Sequence, residues 1–331
     1  MDTWFNRFRK KVMEKLKYSY FQILFFTFLI LFAGCFLALY YGTVSSLSLD
    51  WKIQLRLPRI ILGISVGGSL ALSGGILQVL FRNPICEPYT LGIASGAALG
   101  AVFSSFFQIY FFGFSLPLFS FIGATLFAFP LGILNQKFIS SHGILIVGVM
   151  LGFFGASGVS LGLALSPSGE LQQSLYWLLG TLSKVNLNTA MIHLGGSFIF
   201  WILVYRKFNS LDAALLGDAG ARSLGFDPIS ERRYWIILTS LLVAWSVSFS
   251  GMIGFVGLMV PHLVRLIVGS FHRKTVPLFI LWGALSLVFS DLIVRILPVQ
   301  QELPVGVITA LWGVPLFVSF IIKGGMKWNL S

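Results

Sequence analysis

The chain predicts an all-α, polytopic membrane fold with about ten spanning helices, each needing roughly 20 apolar residues to cross. Three observations carry that expectation. First, 56% of the 331 residues are hydrophobic, only 10% are charged, and mean hydropathy is +0.89. A soluble domain carries roughly 25% charged residues, so this chain has too few to cover its own surface in water. Second, the apolar residues come in blocks of spanning length, and in lipid a helix satisfies its own backbone. Third, the Lys and Arg residues sit between the blocks instead of forming one patch. The net charge of +12 is therefore no sign of nucleic-acid binding.

The blocks read in order as 19–40, 57–81, 89–108, 114–134, 143–165, 190–205, 234–250, 256–270, 276–296 and 304–322. The first follows six Lys/Arg and contains FAGC at 32–35, which looks like a lipoprotein cleavage box. The block runs on past Cys35 as FLALYY, where a lipoprotein has a polar tether, and it is too long for a signal core. It is expected to span. The second opens at Pro58 between Arg56 and Arg59. Gly63, Gly67, Ala71 and Gly75 then recur every fourth residue. Gly92, Gly96 and Gly100 repeat that spacing in the third block, and Gly148, Gly152 and Ala156 in the fifth. Small residues at this spacing let helix backbones approach closely in lipid. The sixth block is short and holds His193. The eighth holds Pro261 and His262, expected to kink and end it, with His262 a packing residue. The ninth ends near Asp291 and Arg295, one helical turn apart.

Ten spans put both termini on one side, and charge identifies it. Eighteen Lys/Arg fall on the side of the termini and five on the other, namely Lys52, Arg56, Arg59, Lys184 and Arg295. The positive-inside rule makes the richer side cytoplasmic. The organisation expected is a basic N-terminal segment 1–18, a membrane domain 19–323 and a tail 324–331.

Residues 206–233 interrupt the apolar pattern with five Lys/Arg and four Asp/Glu. This island reads as two short helices. Ser210 is placed to cap the first, with Asp212 in its first turn and Leu211, Ala214 and Leu215 on one edge. Gly217 ends it. Asp218 is placed to cap the second, with Ala221 and Leu224 apolar and Gly225 closing it. Helices this short need a partner or tertiary contact.

Several chemistries have no motif here. The chain has no GxxxxGK[ST] phosphate loop, HExxH, GxSxG or CxxC. Cys35 and Cys86 lack metal-type spacing, so no metal site, bound cofactor or catalytic residue is expected. Charges at membrane depth are few, which weakens a proton-driven mechanism and turns attention to the island as the point where energy enters.

Six stretches together resemble a known family: LRLPRIILGISVGGSLALSGGILQ (55–78), FRNPICEPYTLGIASGAALGA (81–101), YWLLGTL (176–182), LGDAGARSLG (216–225), GMIGFVGLMVPHLVRLIVGSFHR (251–273) and ELPVGVITALWG (302–313). They resemble the FecCD-like permease subunits of type II ATP-binding-cassette importers, which take up iron-siderophores, haem and cobalamin. Cys86 stands where that family has a small apolar residue.

The resemblance implies a homodimer with a pathway at its interface, in the cytoplasmic (inner) membrane of a bacterium. Two cytoplasmic ATPase subunits, which would carry the ATP and Mg, are expected on the island at Leu215, Gly217, Asp218, Ala221, Leu224 and Gly225. A periplasmic binding protein is expected to dock at exposed Arg56, Arg59 and Arg295, whose forked guanidinium suits a carboxylate. Gate residues are expected at Asn83, Pro84 and Ile85 and at Ser140, Ser141 and His142. Met150, Phe153, Phe154 and Ser157 are expected along the pathway, and Trp177 in an extracytoplasmic helix. An uncharged pathway suits a bulky, partly apolar chelate and does not choose between siderophore, haem and cobalamin; iron-siderophore is the first expectation because it is the broadest class. A stand-alone secondary transporter or channel is the alternative reading.

Overall fold

A computed structural model describes residues 20–42, 49–107, 115–134, 141–165, 177–183, 185–297 and 303–322. Among them the chain forms α-helices α1 (Tyr20–Tyr40), α2 (Leu49–Leu80), α3 (Ile93–Phe106), α4 (Ser115–Leu134), α5 (Ser141–Leu165) and α6 (Leu187–Arg206). Then come two short helices, α7 (Phe208–Leu215) and α8 (Gly217–Ser223), followed by α9 (Pro228–Ser250), α10 (Val256–Val268), α11 (His272–Ile296) and α12 (Val305–Ile322). A 3-10 turn, Pro88–Leu91, precedes α3.

All ten expected blocks are helical. Seven are long and apolar enough to cross a membrane; Ile93–Phe106, Val256–Val268 and the helix from Val305 are shorter. The segments 1–18 and 324–331 lie outside the described residues.

Several boundaries differ from expectation for local reasons. α9 starts at Pro228, six residues early, because the Asp227 side chain accepts from the backbone N–H groups of Ile229 and Ser230 and proline sits at the first helical position. α6 starts at Leu187 because Asn186 accepts from the Thr189 N–H at 2.8 Å. α2 starts at Leu49 and continues past Pro58, which lies inside it. Pro261 is expected to end the eighth span, yet α10 continues to Val268. A proline inside a helix leaves the carbonyl four residues earlier without its N–H. Here that carbonyl, Gly257 O, accepts from the Gln78 side chain of α2 at 3.4 Å, and Leu258 O does so at 3.1 Å.

α2 is the axis of the bundle, packing on α1, α6, α9, α10 and α11. Its small-residue row faces α11: a side chain at Gly67 would meet the Gly283 backbone, and one at Gly75 would meet the Phe279 ring. The α3 row faces Gly123 and Phe119 of α4, and Gly148 of α5 sits against Thr90 and Leu91. The largest apolar core gathers around Leu70, Leu77, Trp235, Val243, Met259 and Phe279. α1 and α5 are peripheral and turn aromatic residues such as Phe25, Phe32, Phe153 and Phe154 outward.

Candidate functional site

The island is one folded piece. α7 and α8 pack on each other, α7 also touches α2 and α11, and α8 touches α9. Neither expected side-chain cap forms. Ser210 lies inside α7, buried, where it donates to Lys207 O and accepts from the Trp235 indole N–H at 2.9 Å. The helix starts two residues before it, at Phe208, with Lys207 as the boundary residue shared with α6. Asp218 lies in the first turn of α8, where it takes two bonds from Arg232 at 3.1 and 3.4 Å and faces Arg82 at 4.0 Å. Gly217 has φ +89°, and a side chain there would press on the Arg82 guanidinium, so glycine suits both the turn and the space.

The docking residues expected on the island separate into two sets. Leu224 is exposed and Leu215 half-buried, with Leu216 beside it exposed as well. Ala221 is only 4% exposed. It faces inward, lining a recess with Val79, Ala214, Phe226 and Trp235, so it is a packing residue within this chain and not part of an outward surface.

Asp212, expected only to favour the first turn of α7, has a longer reach. Its Oδ1 accepts from the His272 backbone N–H at 2.8 Å and contacts His272 Nδ1 at 2.7 Å. α11 has no side-chain cap of its own, and the island supplies one.

Asn83, Pro84 and Ile85 lie in the connector between α2 and α3, next to the island. Asn83 Oδ1 accepts from the Ile85 N–H at 3.0 Å, which folds the loop tightly. Arg82 has φ +46°, a strained value for a residue with a side chain. Ser140 lies outside the described residues, and Ser141 and His142 open α5. Met150, Phe153, Phe154 and Ser157 share one exposed, uncharged face of α5, as their three- and four-residue spacing requires.

The connector also holds residues that sequence reasoning passed over. Glu87 Oε1 accepts from the Phe255 N–H at 2.6 Å. Tyr89 OH accepts from the Ile253 N–H at 2.6 Å and donates to Ile253 O at 2.7 Å. Burial pushes the Glu87 carboxyl up to about 7, against the opposing pull of the Phe255 bond. An acid beside proline in an apolar stretch was the available signal. Arg265 of α10 is equally committed, donating to Gln78 Oε1 at 2.7 Å and Gly75 O at 2.6 Å. His193 is a packing residue: it contacts Ser65 Oγ at 2.6 Å and stacks on Trp245.

At the other end of the bundle the expectation of exposed arginines is overturned. Arg56, Arg59 and Arg295 are 5%, 7% and 6% exposed. Arg59 donates twice to Asp291 Oδ1, at 3.1 and 2.8 Å, and Arg295 pairs with Asp291 Oδ2 at 3.0 Å. Arg295 also donates to Ala38 O, and Arg56 to Leu39 O and Tyr40 O, at 2.7–2.9 Å. The physical reason is that the last carbonyls of a helix have no N–H partner. Arg56 and Arg295 satisfy that need at the end of α1, and the single Asp291 carboxylate is shared between Arg59 and Arg295.

The described residues form a helical bundle with seven helices long and apolar enough to cross a membrane and one charged segment between them, and comparison identifies its family. The FecCD transport family model matches residues 17–323. The vitamin B12 import system permease protein BtuC of Vibrio cholerae serotype O1 is 35% identical over 285 residues, covering 84% of this chain and 85% of that one. The BtuC of Salmonella arizonae is 34% identical over 276 residues, 82% of each chain. A solved structure described as an inward-facing conformation of a metal-chelate type ABC transporter superposes with TM-score 0.83 at 32% identity, covering 92% of this chain and all of that one. PsaBC from Streptococcus pneumoniae shares the fold at TM-score 0.51 and 16% identity, covering 80% and 91%. The chain belongs to the FecCD transport family and is a permease of a type II ATP-binding-cassette importer.

Proposed function

We propose that the chain is the membrane subunit of an ATP-driven importer for a bulky metal chelate, the candidates being cobalamin, an iron-siderophore and haem. The observation that carries the reading is the family match over nearly the whole chain, joined to an uncharged, exposed face on α5 at Met150, Phe153, Phe154 and Ser157. An apolar face without fixed charge suits a large, partly apolar complex better than a bare ion. The BtuC relatives favour a cobalamin-like cargo, and the structural neighbour of metal-chelate type favours a chelate more broadly.

In this reading two copies of the chain flank the pathway in a bacterial inner membrane with both termini cytoplasmic. ATPase subunits, which hold the ATP and Mg, dock on the island around Leu215, Gly217, Asp218, Leu224 and Gly225. Asn83, Pro84 and Ile85 narrow the exit, together with Ser140, Ser141 and His142. A periplasmic binding protein delivers cargo to the end of the bundle marked by Arg56, Arg59 and Arg295, which shape that surface from beneath. Hydrolysis shifts the gate because the docked ATPases bind its two states with different affinity.

Proteoliposomes carrying the permease, its ATPase and its binding protein, supplied in turn with the three labelled chelates, test the reading. ATP-dependent uptake of one chelate supports it. Gradient-driven uptake without any ATPase favours a secondary transporter or channel instead. Leu224→Asp is expected to lower ATPase copurification, because that side chain is exposed.

A further inference from the structure

The connector between α2 and α3 is more than a turn. Its first half carries Asn83, Pro84 and Ile85, and its second half grips the junction between α9 and α10. Three hydrogen bonds, none longer than 2.7 Å, run from Glu87 and Tyr89 to the backbone of Ile253 and Phe255. Between them the Pro88 ring lies against Gly257, where an added side chain would come within 2.8 Å of it.

The gripped segment is strained. Gly251 and Phe255 both have φ +69°. For glycine this costs little, but for phenylalanine it is a left-handed conformation that persists only where surroundings impose it. Phe255 has two such constraints. Its N–H is held by Glu87, and its side chain sits close under Gly313 of α12. It is also the N-terminal boundary residue of α10, which has no side-chain cap of its own. Glu87 therefore fixes the start of a helix to which it does not belong.

The placement gives this grip a consequence. α9 begins at Pro228, directly after the island, and ends at the gripped junction. A shift of the island carried along α9 arrives at Ile253 and Phe255, and so at the connector. The connector packs on α5 as well, through Thr90 and Leu91 against Gly148. We propose that Glu87 and Tyr89 form a clamp that ties the α9–α10 junction to the Asn83–Ile85 loop, making both of them positioning residues for the cytoplasmic exit. The proposal rests on the reading of Asn83–Ile85 as the exit, and half of its test does not.

Hydrogen exchange on the full chain in nanodiscs reads the clamp without any transport. Glu87→Ala removes the acceptor, and Tyr89→Phe removes both of its bonds. Each is expected to speed exchange at 253–255 by about tenfold or more, the loss of roughly one well-made buried hydrogen bond. Each is also expected to speed exchange at 83–86, in the distant half of the connector. Glu87→Gln keeps an acceptor oxygen and is expected to stay close to the unmodified chain. In proteoliposomes with ATPase and binding protein, Glu87→Ala and Tyr89→Phe are expected to lose most of the cargo moved per ATP hydrolysed, while Glu87→Gln keeps it. Unaltered exchange at 83–86 in both disrupting variants overturns the clamp, and so does a Glu87→Gln as damaged as Glu87→Ala. Uptake by the unmodified chain tests the transporter reading separately, so the two failures are distinguishable.

Discussion

The two ends of α11 handle charge in opposite ways. At its last turns Asp291 is 2% exposed and holds Arg59 and Arg295, whose side chains are 8% and 6% exposed. At its first residue the partner is Asp212 of the island, 22% exposed, and the island's other pairs are more open still. Asp218 is 56% exposed and shares itself between Arg232 and Arg82, and Lys207 meets Glu231 at 3.0 Å with 38% of the lysine exposed. Taking an ion out of water costs several kcal/mol, so a buried cluster must be complete or it destabilises its surroundings. Exposed pairs are nearly free to break and re-form. One end of the helix is thus built to stay as it is, and the other can exchange partners.

The contrast is most vulnerable at Asp291. Asp291→Ala leaves two buried guanidinium groups facing each other without their carboxylate, and a loss of about 3–5 kcal/mol is expected. Reversible unfolding of the purified chain in detergent measures it. Replacing Arg59, Asp291 and Arg295 together by Met, Leu and Met is expected to recover much of the loss, since apolar groups of similar volume need no partner. A loss under about 1 kcal/mol for Asp291→Ala, the range of exposed pairs, would remove the distinction between the two ends.

Asp212 should fall between the extremes. Asp212→Ala leaves the His272 N–H without its acceptor and removes the bond to the imidazole, at an expected cost of about 1–3 kcal/mol. Asp212→Asn keeps a good capping oxygen and is expected to lose well under half of that, because Asn caps helices about as well as Asp. The same unfolding measurement compares them. Equal losses for Ala and Asn would mean that the charge matters and the cap does not.

The spans themselves were legible because lipid imposes a length and a composition on each one. The small-residue rows were legible for the same reason: Gly67 has to be small to meet Gly283, and spacing by four is visible in a sequence. The contents of the polar spots were not. Arg56, Arg59 and Arg295 look like exposed cations because nothing local shows that the end of α1 lies beside them. Their partners Leu39, Ala38 and Asp291 are 17, 257 and 4 or 232 positions away. The cap residues of the island failed similarly. Ser210 has the right chemistry for a cap, but the Trp235 indole claims its oxygen from 25 residues on. Long-range hydrogen bonding reassigned side chains whose local preferences were read correctly.

The smallest expected effect is also the most direct probe of the open end. Asp218 and Arg232 form a pair with one member largely in water. A double-mutant cycle of Asp218→Ala with Arg232→Ala is expected to give a coupling of about 0.2–1 kcal/mol at low salt. Screening should then reduce it, since the Debye length falls from roughly 10 Å at 0.1 M to about 3 Å at 1 M salt. Arg82 adds a second, weaker attraction to the same carboxylate at 4.0 Å, so Arg232→Ala alone leaves Asp218 partly compensated and the single-mutant loss should be smaller than the cycle of an isolated pair. The matching cycle of Arg59→Met with Asp291→Leu is expected to be larger and to hold its value across the same salt series, because both side chains are buried and a buried pair is screened much less. Coupling at Asp218 of about 2 kcal/mol or more, or one unchanged by salt, would place this pair with the buried cluster. The island would then be as fixed as the opposite end, and its motion would have to come from the turns at Gly217 and Gly225 instead of from exchange of its ion pairs.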